Sequence, residues 1–231
     1  MEKSKYPMYI EVSYPIETNT NINLLPSVEY PKIIARSRIK NGDNSNTSYI
    51  YIYAHNGTHI DAPWHFNDSD GFTITDFCIE DFIFEKILLL EINKGRFEPI
   101  LQNELEAYSK DLAKCDVLLI NTGFSRFRQK SPSYYFDETP GFSEEAADYI
   151  SGFKNIKCIG FDFISVENIT RNREKKYPVH NILLNRQPPL IIIEDMNLKG
   201  ILRRKINKLF VIPIRIQGVE ASPVTVIAEI L

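Results

Sequence analysis

The chain has 231 residues, of which 43% are hydrophobic and 12% aromatic, and its 27 basic and 30 acidic side chains give a net charge of −3. This length allows one large domain with a core of its own, and the composition is too apolar for intrinsic disorder. The slightly acidic balance argues against a nucleic-acid-binding surface, and the apolar runs are too short to span a membrane as a helix.

In chain order, the first part of the sequence predicts a strand, a hairpin and a short helix. Residues 8–13 alternate weakly, and the strands 32–39 and 48–54 flank a turn-rich loop. Residues 15–31 contain three prolines and are predicted as a long loop. Beyond a segment broken by Gly and Pro, residues 75–82 are predicted as a helix.

The rest of the chain alternates helices with strands and ends in a hairpin. Apolar patterning predicts strands at 85–92, 116–121, 156–161, 190–194, 209–217 and 224–230, and helices at 99–109, 143–150 and 179–184. No repeat or linker divides the sequence, so a single domain over residues 1–231 is expected. The order of elements favours an α/β or α+β domain with a mixed sheet.

The sequence starts without the apolar stretch of a secretory signal peptide. Its three cysteines, Cys78, Cys115 and Cys158, lie in or beside predicted elements, so we expect buried free thiols. Both features predict a cytoplasmic protein.

Histidines are concentrated in one short segment. The chain has four, and three of them, His55, His59 and His65, lie within residues 55–65. Gly57 permits a positive φ and Pro63 stiffens the exit, so a turned backbone after the second hairpin strand can bring His55, His59 and Asp61 together. Two imidazoles and a carboxylate suit Zn²⁺ or Mn²⁺ with open coordination positions, where the pKa of a bound water falls to about 7.

These residues also fit roles that need no metal. The i, i+4 spacing of His55 and His59 is compatible with a helix surface, although Gly57 and the preceding β-branched and aromatic residues argue against a helix. His180 begins a short apolar helix and Glu194 ends an apolar strand. A buried carboxylate there is costly unless it is paired or metal-bound, but a solvated strand end is the simpler interpretation of Glu194 alone.

The pattern His55-x-Gly57-Thr58-His59-x-Asp61-x-Pro63-x-His65-Phe66 resembles the signature of the cyclase family of metal-dependent hydrolases. That family includes bacterial kynurenine formamidases, isatin hydrolases and some proteins regarded as polyketide cyclases. The similarity continues at residues 121–125, 140–147, 160–162 and 213–223, and thus covers essentially the whole chain. It implies a single α/β domain with a mixed β-sheet and peripheral helices, of the swivelling β/β/α type.

The resemblance also implies roles for individual residues. His55, His59 and Asp61 would hold a first metal ion, Asp61, His180 and Glu194 a second, and Asp61 and Glu194 could bridge the two. The ion would be Zn²⁺, with Mn²⁺ next. His65 would be the catalytic proton shuttle. Family members are commonly homodimers, so a homodimer is expected, with a small-molecule amide as partner and neither nucleic acid nor membrane.

The implied reaction is hydrolysis of a small aryl formamide, such as N-formylkynurenine, by a metal-activated water. Three aromatic residues near the motif, Trp64, Phe66 and Phe72, could stack on a flat substrate, although core packing accounts for each equally well. The formamidases carry a substrate-contacting Trp in their N-terminal loop, whereas residues 21–30 of this chain contain none.

Four alternatives remain. An isatin-type cyclic amide could be the substrate, or the reaction could be that of a cyclase or dehydratase on an oxygenated ring. A non-catalytic metal-binding protein would not need His65. The four Asn-x-Ser/Thr triplets would suit a secreted glycoprotein, which would require a signal peptide.

Overall fold

The computed structural model describes residues 7–18, 30–172 and 174–231. The strands are β1 (Met8–Glu11), β2 (Lys32–Ser37), β3 (Thr47–Tyr51), β4 (His59–Asp61), β5 (Ile83–Phe84), β6 (Ile87–Glu91), β7 (Pro99–Ile100), β8 (Val117–Asn121), β9 (Gly141–Phe142), β10 (Cys158–Phe161), β11 (Ile191–Glu194), β12 (Ile206–Pro213) and β13 (Ala221–Ile230). The α-helices are α1 (Gln102–Glu106), α2 (Ser109–Leu112), α3 (Pro132–Asp137), α4 (Glu144–Gly152), α5 (Ile169–Asn172) and α6 (Pro178–Leu184). Most of the N-terminal loop that lacks a Trp lies outside the described residues.

Nine strands form one mixed sheet, in the order β5, β12, β13, β4, β11, β10, β8 and β6, with β1 paired to β13. The strands β6, β8, β10 and β11 run parallel to their neighbours within that group. Every residue of β8, β10 and β11 is buried, as expected for parallel strands covered on both faces. The predicted α/β class, with a mixed sheet and peripheral helices, is confirmed.

The sheet separates two hydrophobic clusters, because successive side chains of a strand point to opposite faces. Leu118 and Ile192 belong to the cluster that includes residues of α1, α4 and α6. Their neighbours Leu119 and Ile193 belong to the other cluster, with residues of β12 and β13. The longest described helix, α4, has nine residues, and none of the described helices meets the length and hydropathy that crossing a bilayer requires.

Strand β4, three residues long, lies in the middle of this sheet and was not predicted. It pairs antiparallel with β11 on one side and with β13 on the other. The sequence favoured a turned loop there because Gly57 and Pro63 flank these three residues. The strand is therefore defined by pairing with segments more than 100 residues away in the chain rather than by a local pattern.

Two helix predictions were wrong in their limits. Residues 75–82 form two 3₁₀ turns, Ile74–Asp76 and Ile79–Phe82, instead of one helix. The Asp76 carboxylate accepts the Thr73 amide at 2.8 Å and that of Asp81 accepts the Cys78 amide at 3.0 Å. Such side-chain caps compete with a continuous helix.

The predicted helix 99–109 is likewise divided, into β7, α1 and α2. Its first two residues instead pair with β9.

The burial of two further segments differs from expectation. Cys115 and Cys158 are buried free thiols as predicted, but Cys78 is exposed, because it precedes a surface 3₁₀ turn. The charged residues 172–176 predict a solvated surface loop over the segment 164–177. Its residues 174–176 are exposed, whereas residues 164–168 are buried and lead into α5.

Gly141 lies where the backbone of β9 approaches residues 166–168. A Cβ at this position would lie 2.8 Å from Asn168 N and 3.1 Å from Val166 O, both backbone atoms that cannot rotate away. Gly141→Ala should therefore lower the free energy of unfolding by roughly 1–3 kcal/mol. Gly152→Ala is the matched control, since a Cβ added there would have no atom within 4 Å, and it should be neutral or stabilising. Urea denaturation measures both; equal midpoints would contradict the close approach.

Candidate metal centre

Strand β4 brings two of the predicted ligands to one face of the sheet. His59 and Asp61 are two residues apart and point the same way, while Ile60 points into the opposite cluster. On β11, Glu194 is paired directly with His59. His59 Nε2 consequently lies 3.4 Å from Asp61 Oδ1 and 3.5 Å from Glu194 Oε2.

Two histidines from outside the sheet complete the cluster. His55, four residues before β4, places Nδ1 at 2.9 Å from Asp61 Oδ1. His180, in the first turn of α6, places Nε2 at 3.9 Å from Asp61 Oδ2 and 3.6 Å from Glu194 Oε1. The structure thus brings all five predicted metal ligands together.

Each of these histidines presents one nitrogen to the carboxylates and has an oxygen near the other. His59 Nδ1 donates to Gly57 O at 2.9 Å, which leaves Nε2 facing the cluster. His55 Nε2 lies 3.3 Å from Glu220 Oε1, and His180 Nδ1 lies 3.8 Å from Glu167 Oε1. Outer oxygens of this kind orient metal-binding imidazoles. Neither Glu167 nor Glu220 lies in a sequence pattern that predicted a site residue.

The pKa values follow from this arrangement of charges. Burial by itself raises the pKa of Asp61, but His55 and His59 hold it well below its usual range. Burial by itself lowers the pKa values of both histidines, and the Asp61 carboxylate more than reverses this effect. For His180 burial is likewise outweighed, here by nearby carboxylates, and its pKa rises to about 9. The pKa of Glu194 is lowered as well, so Asp61 and Glu194 are both ionised and attract positive charge.

The donor set fits a divalent cation. Although His55 approaches Asp61 closely, both Asp61 carboxylate oxygens and His59 Nε2 are buried without a hydrogen-bond partner among the described residues. Ligand atoms of His59, Asp61 and Glu194 lie within 4.8 Å of one another, as do those of His55, Asp61 and His65. Imidazoles with carboxylates are ligands of Zn²⁺ and Mn²⁺, and coordination would satisfy these atoms. His59 is grouped here with Glu194, so the expected division of ligands between two ions remains a prediction.

A cavity of about 200 Å³ opens onto this cluster. Besides the five ligands and His65, its walls are formed by Tyr53, Phe66, Phe136, Ile164, Ser165, Ile169 and Tyr177. Phe66 stacks on the His180 ring with 4.7 Å between centroids. Apart from Phe66, these wall residues were not predicted, because they come from separate segments. Of the residues missed, only Tyr53, two residues before His55, had a positional signal.

One of the three predicted substrate-contacting residues lines the cavity. Phe66 lines the cavity, but Trp64 and Phe72 are not among the lining residues. Phe72 packs against Phe77 at 5.5 Å between ring centroids. The Trp64 amide donates to Phe72 O at 3.0 Å, so this pair closes a turn next to the site.

His65 lies at the cavity wall, in the 3₁₀ turn Pro63–His65 that follows β4. Its ring centroid is 4.3 Å from that of His55. Burial lowers the pKa of His65 to about 4, against the opposing effect of Asp61. The imidazole is therefore neutral at pH 7 and can accept a proton.

A buried ion pair lies directly behind the cluster. Asp195 follows Glu194 and has φ of +56°, unusual for a residue other than Gly. Arg128 binds its carboxylate through two nitrogens at 2.7–2.9 Å, and Tyr135 donates to it at 2.7 Å. Thr58, which precedes His59, donates to Asp195 O at 2.6 Å. These bonds tie the end of β11 to the start of β4.

The chain is similar in sequence or in fold to several known proteins. An uncharacterized protein of Haemophilus influenzae is 36% identical over 110 residues, which cover 47% of this chain and 77% of that protein. A kynurenine formamidase of Bacillus cereus is 26% identical over 217 residues, which cover 94% of each chain. The crystal structure of an isatin hydrolase bound to the product analogue thioisatinate superposes with a TM-score of 0.79 at 19% identity, covering 96% of this chain and 92% of that one, and shows the same fold.

The family model described as "Putative cyclase" matches residues 10–168, including the whole segment from His55 to His65. The match spans more than half of the sequence. The chain therefore belongs to this cyclase family.

Proposed function

We propose that the protein is a metal-dependent hydrolase that cleaves the amide bond of a small aryl formamide. The observation that carries the proposal is a cluster of five side chains of metal-ligating type, four of them buried, beside a neutral histidine at the end of a largely apolar cavity. The similarity to a protein named kynurenine formamidase along nearly the whole chain supports this substrate class. We propose Zn²⁺ as the ion, with Mn²⁺ as the alternative.

The ligand side chains would be His55, His59, Asp61, His180 and Glu194. A divalent cation held by them would supply Lewis acidity, which polarises a carbonyl group and lowers the pKa of a water molecule. Four of the five lie on β4, β11 or α6, and His55 lies in the turn that leads into β4.

His65 would move the proton. As a neutral base at the cavity wall, it takes a proton from the water that adds to the formyl carbon. When the C–N bond breaks, the same imidazole delivers that proton to the leaving aryl nitrogen. Formate and an aryl amine result. An aryl amine is a better leaving group than an alkyl amine, which suits this mechanism.

The cavity walls would select a flat apolar ring. Tyr53, Phe66, Phe136 and Tyr177 offer aromatic surfaces, and Ile164 and Ile169 add aliphatic ones. Aromatic side chains bind flat rings through stacked or edge-to-face contacts.

One observation favours a second candidate, a cyclic amide of the isatin type. Among the described residues, the cavity lining includes no Lys or Arg. A substrate with an amino-acid carboxylate, such as N-formylkynurenine, would thus gain no ion pair there, whereas a neutral lactam needs none.

We also propose that the protein is a homodimer that uses the hairpin of β2 and β3. The paired residues Ile33 and Ile50 are 57% and 65% exposed, and Ile34 and Tyr49 on the other face are 47% and 53% exposed. A covered aromatic side chain buries roughly 150–250 Å². The hairpin with Tyr51, Ile52 and Tyr53 therefore offers several hundred Å², approaching the contribution of one partner to a standard interface of about 800 Å². A second copy would cover this surface next to the cavity.

The substrate proposal predicts formate release from N-formylkynurenine and from formanilide by protein loaded with Zn²⁺ or Mn²⁺. Because no Lys or Arg lines the described cavity, we expect kcat/KM for formanilide to be at least comparable to that for N-formylkynurenine. Formate assays and loss of aryl-formamide absorbance measure both. Ring opening of isatin without formamide hydrolysis would favour the lactam, and inactivity on all three would contradict the proposed hydrolase.

The residue assignments predict opposite behaviour for two variants. His65→Ala should keep the metal content of the wild type but lower turnover by roughly 10²–10⁴-fold, because only proton transfer is lost. Asp61→Ala should lose both metal and activity, because it removes the carboxylate shared by three histidines. Elemental analysis beside the activity assay separates the two. Wild-type turnover in His65→Ala would refute the shuttle role.

The dimer proposal predicts a solution mass of twice 26.7 kDa by light scattering. Ile50→Glu should shift the protein toward the monomer, because the new carboxylate would be buried in the interface. Ile79→Glu alters a residue of similar exposure on a 3₁₀ turn and serves as the control. A wild-type monomer, or a dimer unaffected by Ile50→Glu, would contradict the use of this hairpin.

A further inference from the structure

Glu167 is a fully buried acid that is not among the expected ligands. Its Oε1 accepts the amides of Val179 at 2.6 Å and His180 at 3.2 Å, in the first turn of α6. Its Oε2 accepts from Asn172 Nδ2 at 2.5 Å. One carboxylate thus joins the end of α5 to the start of the helix that carries His180.

The same carboxylate faces the outer nitrogen of His180. His180 Nδ1 lies 3.8 Å from Glu167 Oε1, and no hydrogen-bond partner for it occurs among the described residues. The other ring nitrogen, Nε2, faces Asp61 and Glu194. Stacking on Phe66 fixes the ring plane. A small rotation of the Glu167 or His180 side chain is enough to close an Nδ1–H···O bond.

The residue before Glu167 supports a second expected ligand. The Val166 amide donates to Glu194 Oε1 at 2.9 Å within the buried segment. The adjacent residues Val166 and Glu167 therefore contact Glu194 and His180, respectively. These are the two expected ligands that lie outside the histidine-rich motif. Neither contact involves that motif.

We infer that Glu167 is a positioning residue for the His180–Glu194 side of the metal centre. It fixes the start of α6, presents its carboxylate to His180 Nδ1 and so directs Nε2 to the metal. This arrangement is a carboxylate–histidine–metal relay, in which the outer acid also increases the basicity of the ligand. The inference rests on the proposed metal-dependent function.

A purely structural role predicts a different outcome. If Glu167 only caps α6, its loss lowers the stability of the metal-free protein and leaves the metal affinity of the folded form unchanged. If it positions His180, the affinity falls even in a folded variant. Glu167→Gln separates the two, because its amide oxygen can still accept the α6 amides while the negative charge is lost.

The experiment is calorimetric titration of the chelator-treated full chain with Zn²⁺ alone, together with thermal unfolding of the metal-free forms. We expect Glu167→Gln to bind about 10-fold more weakly than the wild type, and Glu167→Ala up to about 100-fold more weakly. If Glu167→Ala fails to fold, the Gln variant decides the question.

Asp162→Asn is the matched control. Asp162 is equally buried, and its carboxylate accepts the Thr122 amide at 2.6 Å and the Ser125 amide at 3.3 Å, away from the expected ligands. We expect this variant to lose stability but keep the wild-type affinity. Wild-type affinity in folded Glu167→Gln, or an equal loss in Asp162→Asn, would overturn the positioning role. Absence of Zn²⁺ binding by the wild type would instead refute the metal-dependent function on which it rests.

Discussion

Two carboxylates buried side by side in the middle of a β-sheet impose the main constraint on this protein. Asp61 and Glu194 are 0% and 5% exposed, and each ionised group would be costly to bury without compensation. Burial and the charge of Asp61 both raise the pKa of Glu194, yet His59 and His180 bring it below its usual value. The fold as well as the chemistry therefore requires positive charge between Asp61 and Glu194. A divalent ion supplies that charge.

Rigid support behind the acids follows from the same constraint. The like charges of the two carboxylates repel each other, so the backbone that carries them must be held in place. Asp195 holds that backbone at the end of β11. Its positive φ is an unfavourable conformation that surrounding contacts must impose. The two-nitrogen contact from Arg128 and the Thr58 bond provide them, so β11 and β4 are held together directly beside Glu194 and His59. A buried ion pair adds little net stability, but it specifies one geometry.

The sequence predicted the convergence of the histidine-rich motif, but not the element that produces it. Gly57 and Pro63 were rightly taken as signals of constrained backbone, yet the decisive feature is the pairing of β4 with two strands distant in the chain. A three-residue strand with one apolar side chain leaves no periodic pattern. The cavity walls escaped prediction for a related reason. Phe136 and Tyr177 line one cavity only after the segments between them fold, whereas Trp64, adjacent in sequence to His65, is not among its lining residues.

The candidate centre therefore has a local half and a distant half. The local half, His55 to Asp61, is positioned by one turn and one short strand, and a sequence motif is enough to find it. The distant half, His180 and Glu194, depends on a helix start and a strand end that have no motif of their own. What holds it are contacts such as those of Val166, Glu167 and Arg128, which no pattern in the sequence identified. Variation in such supports could change metal affinity while every ligand stays the same, so the ligand motif identifies the family more securely than it specifies the chemistry of one member.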